Sequence, residues 1–107
     1  MSYDVTIGSY DFNYTFNLGP FFRHYIPGVN GDGLKGLDGL EGQEAEPLLL
    51  AALDAILDDL EVSGAAGMVE RWDSPNGWGT WIGATRMISK LARACTVHPA
   101  VIINVFT

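Results

Sequence analysis

The first hydrophobic pattern along the chain is an alternation. Tyr3, Val5 and Ile7 are separated by Asp4 and Thr6, which is the period of a half-buried strand over 3–8 with those three residues inward. A mixed stretch follows, in which Tyr10, Phe12, Tyr14 and Phe16 are interleaved with Asn13, Thr15 and Asn17. It reads as a loop whose amides bond nearby backbone while the rings pack. Asn17 is placed to cap a short helix over about 18–25. Pro20 fits in the first turn of that helix, where a missing N–H has no helical partner to lose.

Residues 26–42 carry Pro27 and six glycines, Gly28, Gly31, Gly33, Gly36, Gly39 and Gly42. Leu34, Leu37 and Leu40 recur every three residues, the spacing of a 3₁₀ turn or a loop pinned to the core. The clearest helix covers 43–62. Leu49, Leu53, Ile56 and Leu60 form one stripe, with Leu50 and Leu57 beside it. Pro47 belongs in a first turn, which puts the regular helix start near Glu44 to Glu46. Asp54, Asp58, Asp59 and Glu61 fall toward the exposed side. Ser63 and Gly64 end this helix, and 65–72 makes a short helical turn closing on Trp72.

Asp73-Ser74-Pro75-Asn76-Gly77 is dense turn chemistry. Thr80 then caps a second long helix over about 81–95. Trp81, Ala84, Ile88, Leu91, Ala92 and Cys95 form its apolar face, opposite Arg86, Lys90 and Arg93. His98-Pro99 stops it. Residues 100–106 are rich in β-branched side chains and read as a buried strand. The predicted fold is a single α+β domain over 1–107. Its N- and C-terminal strands pair in one sheet, covered by the two main helices and short helical turns.

Charge changes the picture. The 107 residues carry a net charge of −7, against the clustered lysine and arginine that phosphate backbones or anionic membranes require. No direct nucleic-acid or membrane partner is expected. From Asp38 through Glu70 there are nine acids and no base; from Arg71 onward there are four bases and one acid. The simplest expectation is an acidic helix beside a basic helix with complementary faces. The sharper one is an acidic face of Asp54, Asp58 and Glu61 aimed at a basic partner, or mimicking nucleic acid toward it.

Candidate chemistry is sparse. The soft and imidazole ligands are His24, Cys95 and His98 alone, too few for a zinc site. Cys95 falls on an apolar helix face, where a thiol is inert. Gly31-Asp32-Gly33 and Gly77-Trp78-Gly79 lack the spacing of a phosphate-binding loop. No catalytic residue, metal or cofactor is therefore expected. One cysteine suits a reducing compartment. The opening Met-Ser-Tyr-Asp lacks the regions of a signal peptide, and no apolar run reaches bilayer-spanning length. A cytoplasmic protein is the expectation.

What remains is the segment Asn76-Gly77-Trp78-Gly79-Thr80-Trp81, with Trp72 upstream. Together with Asn13-Tyr14-Thr15-Phe16-Asn17, Gly-Leu-Lys-Gly-Leu-Asp-Gly-Leu, Trp81-Ile82-Gly83-Ala84, Ala94-Cys95 and His98-Pro99, it resembles a group of small proteins encoded by bacteriophages and actinobacterial genomes. The resemblance covers most of the chain and carries no activity or site residues. It implies a phage-type accessory protein in a bacterial cytoplasm that binds a host or phage protein. The residues themselves point to a non-enzymatic binding protein. Its contacts are Trp78 and Trp81 with Trp72 nearby, or the acidic face. Two alternatives stand beside it. One is a small-molecule or enzymatic pocket between Asn13–Asn17 and Trp78–Trp81; the other is a self-associating structural protein.

Overall fold

Strand β1, Ser2–Ile7, and strand β2, Tyr10–Thr15, form a hairpin closed by Gly8 and Ser9. Gly8 has φ of +59°, and such a two-residue turn with glycine first matches the right-handed twist of the strands. Strand β3, Ile103–Phe106, pairs antiparallel with the other side of β1, giving the order β2-β1-β3. The terminal strands pair as predicted, with β1 central. These elements come from a computed structural model that describes residues 2–26 and 32–107. The first part of the glycine-rich connection, 27–31, lies outside the described residues.

The predicted loop over 9–17 is corrected: most of it is β2. Phe12 and Tyr14 face inward opposite Val5 and Tyr3, while Asp11 and Asn13 share the outer face with Thr6 and Asp4. The hairpin register supplies the regular pairing that the asparagines alone disfavour. Strand β3 is shorter than 100–106 and only half-buried: Ile103 is inside, while Asn104 and Phe106 are exposed.

A 3₁₀ turn at Phe16–Leu18 leads into helix α1, Gly19–Tyr25. Asn17 does not cap α1. Thr15 caps the 3₁₀ turn instead, accepting from the Asn17 N–H at 3.2 Å. A second 3₁₀ turn, Gly33–Leu37, buries Leu34 and Leu37 completely, so the leucine triplet pins the connection as expected.

Helix α2 runs Gly42–Trp72 with a break at Gly64, whose φ of 70° and ψ of 168° are non-helical. Only glycine adopts that conformation readily, so the predicted stop and the short helix after it are both present. The start of α2 needs correcting. Glu41 and Glu44 form a reciprocal cap. The Gly42 and Gln43 N–H groups donate to the carbonyls of Val101 and Pro99, at 3.0 and 2.8 Å. These bonds satisfy the free N–H groups of the first turn. Pro47 therefore sits past that turn, inside the helix.

Helix α3, Trp81–Val97, is capped by Thr80, whose Oγ1 accepts from the Gly83 N–H at 3.0 Å. Every residue of its predicted apolar face is buried. Helices α2 and α3 pack through apolar side chains, and among the described residues no ion pair joins their acidic and basic faces. Among the described residues the only ion pair lies within α2, Arg71 to Asp59 at 3.8 Å. Arg86, Lys90 and Arg93 are exposed on α3.

Candidate functional site

The connection between α2 and α3 is bonded along nearly its whole length. The Gly77 N–H donates to the Ser74 carbonyl at 3.0 Å, closing a turn with Pro75 and Asn76 at its centre. Ser74 N–H reaches the Gly79 carbonyl at 3.1 Å. The Asp73 carboxylate accepts from the Trp81 N–H at 2.7 Å, holding the entrance of α3. Tyr14 on β2 ties the same loop to the sheet: its hydroxyl accepts from the Thr80 N–H at 2.9 Å and donates to the Thr80 carbonyl at 3.0 Å.

Trp78 sits in the middle with both backbone groups satisfied. Its N–H donates to Asn76 Oδ1 at 3.0 Å, and its carbonyl accepts from Asn17 Nδ2 at 3.1 Å. Gly79, at φ of +118°, lies against Leu18 and Thr15 so closely that a Cβ would overlap both side chains. Only glycine passes there. The backbone of Trp78 is thus fixed while the residue is 71% exposed.

The two other tryptophans do not share this surface. Trp81 is 7% exposed and opens the buried stripe of α3. Trp72 is half-buried among Phe21, His24 and Tyr25, with ring centroids 5.3 to 5.6 Å apart. The Arg71 guanidinium lies 4.5 Å from its ring centroid. Structurally, both rings are packing residues.

Asn17 bonds the Trp78 carbonyl, and Asn13 shares a recess with both. The three side chains border one open recess of about 590 Å3, completed by Ser2, Thr15 and Phe16. Asn13 also holds the sheet together, donating to Asp4 Oδ1 at 2.7 Å, Ser2 Oγ at 3.0 Å and the Tyr3 carbonyl at 3.3 Å. Sequence reasoning named the two amides and the ring. Thr15 and Phe16 fall within the Asn13–Asn17 segment that the sequence sets opposite Trp78, whereas Ser2 carries no signal and arrives only through its pairing with Thr15.

Asp54, Asp58 and Glu61 are exposed on α2, as expected, and share that exposure with Leu50 and Leu57. Asp59 does not belong to that face. It turns inward to accept from the Tyr25 hydroxyl at 2.6 Å. Burial first, and then this bond to a carboxylate, push the Tyr25 hydroxyl up to about 12. Burial, with the nearby Glu46 carboxylate, pushes the Cys95 thiol up to about 11. The thiol is neutral at ordinary pH and enclosed by the core, the state in which cysteine is a poor nucleophile.

Among the described residues no group of three or more His, Cys, Asp or Glu side chains is arranged to hold a metal ion. No described helix is long and apolar enough to cross a membrane. Comparison of the chain with protein-family models, with curated proteins and with solved structures returns no match.

Proposed function

We propose that this chain is a non-enzymatic protein-binding module, an acidic accessory protein of the phage type, and that Trp78 is its anchor. The observation that carries this reading is the 71% exposure of that residue on a backbone whose N–H and carbonyl are both bonded. A large exposed ring costs apolar hydration. With its backbone already bonded, the residue has less freedom to lose on docking, and buried tryptophans dominate the energetics of many interfaces. The bordering amides of Asn13 and Asn17 supply the polar rim that accompanies such an anchor. The separate acidic face of Asp54, Asp58 and Glu61 favours a partner of net positive charge, through encounter rate more than affinity.

A photo-crosslinking residue placed at position 78 tests the reading inside the bacterial host. One discrete protein adduct is expected. Adducts no stronger than those from the same probe at Val62, which is 87% exposed, would overturn it. The recess beside Trp78 favours a second reading, small-molecule binding. Stabilisation by several degrees with one metabolite class in a thermal-shift screen would select it.

A further inference from the structure

The sheet closes one of its edges and leaves the other open. On the far side of β3 the Ile103 N–H donates to the Leu40 carbonyl at 2.8 Å, and the Ile103 carbonyl accepts from Gly39 at 2.9 Å. The Val105 N–H donates to Asp38 Oδ1 at 2.8 Å. That edge is bonded to its own chain.

The edge of β2 is different. A two-residue hairpin turn makes its closing pair, Ile7 with Tyr10, a hydrogen-bonded pair, and such pairs alternate along the ladder. Tyr10, Phe12 and Tyr14 therefore bond β1. The backbone groups of Asp11 and Asn13, and the Thr15 N–H, point away from the sheet. Among the described residues none of them has a partner. Exposed edges are ordinarily blunted by proline, lysine or a bulge. β2 has no proline and no lysine, and its register with β1 runs unbroken over six pairs.

Recesses line this edge on both sides of the strand. On the inner side, Phe12 lies beside Met87 and Lys90 of α3, and Asp11 also borders that recess. On the outer side, Asp4 and Asp11 border another. The Trp78 recess lies at the Thr15 end. Asn13 borders all three. Free main-chain groups flanked by side-chain recesses on alternate faces are what an added strand requires.

We propose that the free edge of β2 is a strand-addition site for an extended, basic segment of a partner protein. This rests on the protein-binding reading above and names its mode. A strand presents successive side chains to opposite faces. An apolar residue of the segment meets Phe12 and Met87, and its neighbour meets the carboxylates of Asp4 and Asp11. Lys90 offsets Asp11 in the inner recess, whereas the outer recess is bordered by Asp4 and Asp11 and by no base, so the basic residues belong on the outer side. A second copy of this chain fits less well, because it brings a net charge of −7 against −7.

The test pans the full chain against displayed random linear dodecapeptides, then titrates the best binder as a synthetic peptide. Alternating apolar and basic residues are expected in the selected sequences. N-methylation of the peptide should cost about tenfold or more in affinity at every second position and little between them. Amide exchange should slow at Asp11, Asn13 and Thr15, and Trp78→Ala should weaken binding. Enrichment of no peptide overturns the proposal. So does a binder that needs Trp78 but shows neither the alternation nor the protection; that outcome leaves the protein-binding reading standing. The alternation and protection without dependence on Trp78 supports the strand site and removes Trp78 as anchor. Concentration-dependent protection of the same amides without peptide overturns it in favour of self-pairing.

Discussion

Trp78 and Trp81 are three residues apart and have opposite surroundings. Trp81 is packed into the core and Trp78 stands in solvent, so truncation separates their roles. Trp81→Ala is expected to cost about 3–5 kcal/mol in a denaturant titration, as large core deletions do. Trp78→Ala should leave stability within about 0.5 kcal/mol of the parent, as exposed positions do. A comparable loss from both would mean that the Trp78 ring is packed. Gly79 carries the backbone between them. Gly79→Ala meets both a positive φ and the side chains of Leu18 and Thr15, and is expected to destabilise by more than about 1 kcal/mol. A neutral result in the same titration would show that the turn is looser than described.

At the level of elements, α3 depends on its entrance. Thr80→Ala removes the bond to the Gly83 N–H. It should lower stability by about 0.5–2 kcal/mol, read by thermal melting, the usual range for a lost cap. An unchanged melt would mean that Asp73 and Tyr14 hold the entrance alone. This entrance was legible in the sequence, because turn residues, a capping threonine and a 3.6-residue stripe all agree. The same holds for Leu49, Leu53, Ile56 and Leu60 of α2 and for the leucine triplet, whereas Leu50 and Leu57, expected beside that stripe, are exposed. Strand β2 was not read as a strand, although Tyr10, Phe12 and Tyr14 alternate with Asp11, Asn13 and Thr15. Asparagine and aspartate favour turns, and what overrides them is the hairpin register with β1, set at the Gly8-Ser9 turn rather than within 10–15 itself. The inward turn of Asp59 and the position of Pro47 escaped for a different reason: each is decided by contacts with distant chain, Tyr25 in one case and Pro99 to Val101 in the other.

For the whole molecule, two neutral groups in the interior set the alkaline limit. Folding raises the Tyr25 hydroxyl from an ordinary 10.0 to about 12 and the Cys95 thiol from 9.0 to about 11. Both are neutral when protonated, so the folded chain holds its protons more tightly than the unfolded chain. Their contribution is complete below about pH 9 and is lost as pH rises toward about 12. Denaturation midpoints should fall through that window; a flat profile would contradict the burial of both groups. The site is likewise a product of the whole chain. Asn17 and Trp78 lie 61 positions apart, and the sheet, the 3₁₀ turn at Phe16–Leu18 and the α2–α3 connection must all form before the recess exists. The sequence singles out both amides and the ring and offers a pocket between their segments as one alternative; the Asn17 to Trp78 bond and the rest of the lining come only from the assembled fold.

The central claim is that a fixed, exposed Trp78 binds a protein. It is tested most directly by paired affinity capture from host lysate, with the parent chain and Trp78→Ala at matched native levels and with overlaid melting curves. The account predicts one stoichiometric partner retained by the parent and lost with the variant. Equal recovery by both chains, or no stoichiometric partner from either, would contradict it.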